Sequence, residues 1–294
     1  MILKSVRDNK IQSYFIVLGF LLIVTLFIYF VCYLMDLGPY SLVIAFIFSA
    51  ATSIISYYNC DKLVLAMNGA RPATQEQDQL ISTLLDGLCI ASGLPKPKLY
   101  VVNDPSPNAF ATGRNPQNAV ICVTTGLLER MDKYELEGVL AHELSHIKNY
   151  DILLSTIISV FAGFVVMVSD FTLRYGFRRK RDSEDKNPIE GILLIVGLIF
   201  VILSPLFTKL IQLAVSRKRE YLADATAVEF TRNPNGLISA LKKLQNDDSS
   251  MQNVSNATAH MYISEPVKAK REKTDIFSTH PPLSERIARL EHIN

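Results

Sequence analysis

The chain has 294 residues, 49% of them hydrophobic, and 30 lysines and arginines stand against 28 aspartates and glutamates for a formal net charge of +2. That near balance excludes the global basic field with which a nucleic-acid binder attracts its partner, and the length allows one large domain or two ordinary ones. Cys32, Cys60, Cys89 and Cys122 show neither CxxC pairing nor a short framework, so they read as free thiols rather than disulfides or zinc ligands.

Lys4, Arg7 and Lys10 precede an uncharged run from Ser13 to Met35, long enough to cross a bilayer core of about 30 Å. It lacks the short apolar core and cleavage site of a signal peptide. After the break Asp36-Leu37-Gly38-Pro39, a second uncharged run extends from Tyr40 to Cys60, and the two predict a tight membrane hairpin over residues 1–60. From Asp61 the composition turns soluble. Thr74 with Gln77 is a capping box for a helix to about Ala91, with Leu80, Leu84, Leu85 and Leu88 on its buried side. Leu99 to Val102 and Ala119 to Val123 read as strands, and Asn108 to Gly113 as a possible middle or edge strand between them. The expectation is a small antiparallel sheet beside mainly helical structure, with an edge able to hold an extended peptide.

Asp132 with Glu135 is a second capping box, and Leu136, Val139, Leu140, Leu144 and Ile147 recur at helical spacing. This helix carries His142-Glu143-Leu144-Ser145-His146. Residues four apart share a face, so the two imidazoles can meet one metal ion with Glu143 beside them. A chain of this length contains the pattern by accident about once in a hundred cases, so the rest of the sequence has to supply the remainder of the site.

Two further apolar runs follow, Ile152 to Thr172 and Ile189 to Val215, around a charged loop from Arg174 to Lys186. They predict a second hairpin over residues 152–215 and four spans in all. Helices are expected at Arg217–Phe230, Asn235–Leu244 and Pro282–Ile293, the last with Leu283, Ile287 and Leu290 as its stripe. Asp247 to Asp275 is polar with little periodicity and reads as a mobile flap or a partly disordered stretch. Residues 61–151 and 216–294 are thus expected to form the two parts of one α+β catalytic domain.

A catalytic zinc takes three protein ligands and keeps a position for water. The candidates for the third are His260, His280, His292 and Glu220. Glu220 is better placed, on a helix that leaves the last apolar run, with Asp224 one turn on along the same face. A carboxylate so placed can accept the second ring N–H of a ligating histidine and fix its tautomer.

The HELSH segment, Arg219-Glu220-Tyr221-Leu222-Ala223-Asp224-Ala225, Asn108-Ala109-Phe110-Ala111 and Thr279-His280-Pro281-Pro282 together resemble the HtpX-type membrane zinc metalloproteases, bacterial heat-shock endopeptidases related to the CAAX prenyl proteases. The resemblance covers nearly the whole chain. It implies one Zn2+ held by His142, His146 and Glu220, Glu143 as general base, Asn108 on the substrate backbone and His280 at the oxyanion. Asp224 supporting a ligand is an inference from related zinc enzymes. The bland alternatives leave Asn108 as a turn residue and His280 as a holder of the terminal helix.

The resemblance further implies polypeptide substrates, membrane or misfolded proteins cut near the bilayer surface in quality control and stress response, with the lipid bilayer as the other partner. Alternatives are a prenyl-protein processing protease and a non-catalytic scaffold or transporter; the spans hold almost none of the ionisable residues a transporter needs. Lys4, Arg7 and Lys10, with Lys62, Arg71, Lys148 and Arg217-Lys218-Arg219, place the catalytic side of this multi-pass protein in the cytoplasm. If the ligand-bearing helices ran straight into the third and fourth runs, the metal would sit about 10 Å from the membrane core.

Overall fold

The computed structural model describes residues 2–34, 38, 40–178, 216–252, 254–266 and 281–293. The fourth apolar run, 189–215, lies outside them, as does His280.

Helix α1 (Ile2–Leu34) and helix α2 (Ser41–Tyr58) form the first hairpin. The buried face of α2 is Ser41, Ala45, Ser49 and Ser53. Small residues at a four-residue repeat let helices approach closely in lipid, and here Thr25 and Ser49 join the two helices through their hydroxyls at 2.5 Å. Tyr14, Phe15, Leu18 and Leu22 of α1 and Phe46, Ile47, Ile54 and Ile55 of α2 point outward, an apolar surface that suits lipid and no aqueous phase. Among the described residues, Val6–Phe30 and Ser41–Tyr58 are long and apolar enough to cross a membrane.

Helix α3 (Cys60–Met67), strand β1 (Arg71–Pro72) and helix α4 (Gln75–Ser92) lead into the soluble part. The Thr74–Gln77 capping box starts α4, and Gly93, in the left-handed region at φ 71°, ends it. Strands β2 (Lys98–Val102), β3 (Ala109–Gly113) and β4 (Ala119–Thr124) complete a sheet of order β1-β2-β4-β3. The all-antiparallel expectation is corrected here: β2 and β4 run parallel. The loop after β2 carries the chain past the place β4 will take, so the β3–β4 hairpin folds back with β4 inside and β3 at the edge. A short helix α5 (Thr125–Arg130) then precedes helix α6 (Lys133–Lys148), which bears HELSH.

Helix α7 (Asp151–Arg178) follows α6 after a bend of 83°. The straight passage from metal helix to membrane is therefore not found. Tyr150, in the left-handed region at φ 60°, breaks the helix between the two. The third apolar run also begins as protein core: Ile152, Leu154, Ile157, Ile158, Phe161 and Val165 are buried, and outward-facing side chains begin at Val166 and Met167. Phe20 of α1 stacks on Phe161 of α7 at 3.6 Å between ring centroids, so the first hairpin is packed onto this helix.

Helix α8 (Arg217–Thr231), helix α9 (Pro234–Asn246) and helix α10 (Leu283–Glu291) close the fold around α6. The core joins Leu136, Val139, Leu140 and Leu144 of α6 to Ile121 and Val123 of β4, Leu237 and Leu241 of α9 and Ile287 and Leu290 of α10. Gly138 permits a close approach: a Cβ there would lie 2.5 Å from the Leu237 backbone nitrogen. The described part of the expected flap, residues 247–252 and 254–266, packs many of its side chains inward. Met251, Ala257, Thr258, His260, Tyr262, Ile263 and Ser264 are buried. Their apolar contacts fall at irregular intervals, which is why periodicity missed them.

Candidate metal centre

Asp132 caps α6 by accepting from the Tyr134 and Glu135 amides, and Glu135 returns the bond to the Asp132 amide. Glu135 also accepts from Ser239 at 2.7 Å and Lys243 at 2.6 Å on α9. These contacts fix the helix that carries His142, Glu143 and His146, the first two almost wholly buried. Across from it, α8 presents Glu220 in its first turn and Asp224 one turn later.

His142 Nε2 lies 3.2 Å from His146 Nε2. Glu220 places Oε2 3.6 Å from the first and Oε1 3.6 Å from the second. The three residues can offer ligand atoms all within 4.8 Å of one another. A tetrahedral ion with bonds of about 2.0–2.1 Å separates its ligand atoms by about 3.3 Å, so the arrangement fits a single zinc-sized cation, and two imidazoles with a carboxylate are a zinc donor set.

Each histidine turns its other nitrogen to a carboxylate. His142 Nδ1 is 3.0 Å from Asp224 Oδ1, and His146 Nδ1 is 2.9 Å from Asp151 Oδ2. An Nδ1–H held by a carboxylate leaves the Nε2 lone pair aimed at the cluster. Asp151 was not singled out from the sequence, where it marked only a boundary. Nor was Arg286. Its fully buried guanidinium donates from Nε and Nη2 to Asp224 at 2.9 and 2.6 Å, donates from Nη1 to the Ile263 carbonyl at 3.2 Å and lies 3.4 Å from Glu220 Oε2. The signal was present: Arg286 falls on the apolar stripe of Leu283, Ile287 and Leu290, where a charge demands a buried partner.

Charge follows geometry. Burial pushes the Glu143 carboxyl above its ordinary value, against the two neighbouring histidines. Burial would also raise Asp224, but the Arg286 guanidinium outweighs it and holds the carboxyl below its ordinary value. For His146, burial pulls down while the Asp151 hydrogen bond and Glu220 push up more strongly, to about 9.

The cleft at this cluster is lined by His142, Glu143, His146 and Glu220, with Ala111 of β3 and His260, Tyr262 and Ile263 opposite. Asn108 is not beside the histidines in the hydrogen-bond pattern. Its amide donates to the Ser264 carbonyl at 3.0 Å and accepts from the Ser264 amide at 3.3 Å, while the Ile263 amide donates to Ala109 at 2.9 Å. The polypeptide backbone it holds here belongs to its own chain. His260 is buried near the cluster and His292 stands exposed at the end of α10. The four cysteines are free thiols.

The model of peptidase family M48 matches residues 74–294. The chain belongs to peptidase family M48. A protease HtpX homolog of Listeria monocytogenes serotype 4a (strain HCC23) is 42% identical over 305 residues, covering 100% of both chains. Another, of Thermoanaerobacter pseudethanolicus (strain ATCC 33223 / 39E), is 43% identical over 291 residues, covering 97% of this chain and 96% of its own. In fold, the chain resembles the crystal structure of S. mikatae Ste24p with a TM-score of 0.50 at 22% identity, over 96% of this chain and 66% of that one. The expected enzyme class, a membrane metalloprotease, is the one to which this M48 chain belongs.

Proposed function

We propose that this M48 chain is a zinc-dependent endopeptidase that cuts membrane or misfolded polypeptides at the cytoplasmic face of the cell membrane, using one Zn2+ held by His142, His146 and Glu220. The observation that carries the reading is the convergence of those three ligand groups from two helices, with buried Glu143 adjacent in the same cleft. The chemistry zinc supplies in such a site is polarisation of a carbonyl and acidification of water to a pKa of about 7.

The chain's own groups do the rest. Glu143 takes the proton of the attacking water and delivers it to the leaving amine, a role suited to a carboxyl that burial has raised. Asp224 and Asp151 hold the two imidazoles in one tautomer. Arg286 keeps Asp224 ionised and in place. The Thr124 amide donates to the Asn108 carbonyl, and the alternation of an antiparallel pair then turns the Ala109 and Ala111 main-chain groups away from β4; the Ala109 carbonyl takes the Ile263 amide, and Ala111 faces the cleft. An extended peptide paired at Ala111 would bring a carbonyl beside Glu143.

The site adjoins the first turn of α7 and the base of α1, whose exposed apolar face marks the bilayer. Substrates embedded in or lying on that bilayer are therefore favoured, and Lys4, Arg7 and Lys10 support a cytoplasmic side for the site. Glu220→Ala tests the ligand set: the purified variant is expected to lose bound zinc and casein cleavage together. Retention of one zinc per chain by that variant refutes the assignment.

A further inference from the structure

We infer that Asn9, on the N-terminal helix and outside the residues matched to the family, is a positioning residue for the metal centre, acting on His146 through Asp151. The inference rests on the proposed ligand set. Asn9 is 5% exposed, and its side-chain nitrogen donates to Asp151 Oδ1 at 2.6 Å and to the Asn149 carbonyl at 3.0 Å. The other oxygen of the same carboxylate, Oδ2, takes His146 Nδ1 at 2.9 Å. The two oxygens of Asp151 are thus divided between the membrane helix and the ligand.

The division has a mechanical consequence. The terminal torsion of an aspartate is soft, and a carboxylate held by His146 alone could turn about it and carry the imidazole along. With Oδ1 fixed by Asn9, the carboxylate plane is set, and with it the direction of His146 Nε2 toward the cluster. Asn9 also holds the chain at Asn149, the last position before the bend. The next residue on α1 clamps the bend from its other side: Lys10 Nζ lies 4.0 Å over the ring of Tyr150. Tyr150 has φ 60°, a conformation a bulky residue keeps only where its surroundings enforce it. Packing of α1 on α7, with Phe20 stacked on Phe161, supplies the rigid base for both contacts. The N-terminal hairpin is therefore part of the apparatus that shapes the site, in addition to anchoring the chain.

The test uses the full chain in detergent, with Zn2+ affinity measured by competition against a chromophoric chelator for wild type, Asn9→Leu, Asp151→Asn, the double variant and Glu220→Ala. Partners of metal-binding histidines contribute about 10–100-fold to affinity. Asn9 acts one bond further out, so Asn9→Leu is expected to weaken Zn2+ about ten-fold, with KM of the zinc-loaded protein unchanged; the metal-free protein should melt lower as well, because the Asp151 and Asn149 oxygens lose their buried donor. The double variant is expected to be no weaker than Asp151→Asn alone, because both changes cut the same link. The Co2+ absorption spectrum of Asn9→Leu should also shift as the His146 geometry relaxes. Unchanged affinity, or losses that multiply in the double variant, would overturn the inference and leave Asn9 as a packing contact. Should Asn9→Leu yield no folded protein, Asn9→Gln, which keeps an amide donor at a different reach, carries the same comparison. Glu220→Ala separates the two levels: if it alone loses the metal, the ligand set stands and the Asn9 link fails, whereas if it keeps the metal the ligand set itself is wrong.

Discussion

Replacing Arg286 by methionine keeps most of its volume and removes its charge. The wild-type guanidinium is 0% exposed, makes a two-point bond to Asp224, reaches Glu220 and satisfies the Ile263 carbonyl. Without it, Asp224, itself 3% exposed, keeps among the described residues only the His142 contact as charge compensation. Breaking a buried ion pair from one side costs about 3–5 kcal/mol. For a domain of this size each kcal/mol moves the melting temperature by about 2–4 °C, so Arg286→Met should lower it by about 6–20 °C in calorimetry of the detergent-solubilised, metal-free protein. Arg286→Lys restores a point charge without the planar fork and should recover only part of the loss. Adding Asp224→Asn to Arg286→Met should cost less than the sum of the two single changes, because the second removes the anion that the first stranded. A drop below about 1 kcal/mol for Arg286→Met, or full recovery with lysine, would refute the reasoning.

Two further tests concern how α6 is held. At an exposed helical position, replacing glycine by alanine gains about 0.5–1 kcal/mol. At Gly138 the new Cβ would meet the Leu237 and Gly236 backbone, so Gly138→Ala should instead lose about 1–3 kcal/mol; a raised melting temperature would contradict the close approach. Burial alone would raise the Glu135 carboxyl, but the hydrogen bonds from Lys243 and Ser239 outweigh it and hold the group below its ordinary value. A group so lowered stabilises the fold above its unfolded pKa and loses that contribution as pH falls through the folded one. The stability gap between wild type and Glu135→Gln should therefore be level from neutrality to about pH 5 and close below about pH 4. A gap that stays constant down to pH 3 would show the charge to be irrelevant.

How much of this was legible in the sequence depends on how local the signal is. The HELSH helix and its capping box lie in one stretch with one period, and Glu220 with Asp224 repeat that logic on a second helix. Their boundaries fell within a residue or two of the observed ones. The order of strands is not local: nothing in Lys98–Val102 or Ala119–Thr124 says that the second will lie parallel to the first, because the loop from Asn103 to Asn108 decides it. The bend at Tyr150 was hidden because a tyrosine in the left-handed region has no sequence signature of its own. The same bend hid Asp151, which marked only the boundary before the third apolar run and instead faces His146. Asn9, ahead of the uncharged run that begins at Ser13, carries no cue of its own. Its significance appears only when α1 is laid against the corner of α6 and α7. Arg286 was the one omission with a readable cue, a charge on an apolar stripe.

The most direct test of the central claim pairs wild type with Glu143→Gln, each purified in detergent and assayed for bound zinc and for cleavage of casein. The amide preserves the shape of the buried side chain and removes its ability to take a proton. One zinc per chain in both proteins, with cleavage lost in the variant alone, is the predicted result. Cleavage by Glu143→Gln at the wild-type rate would contradict it.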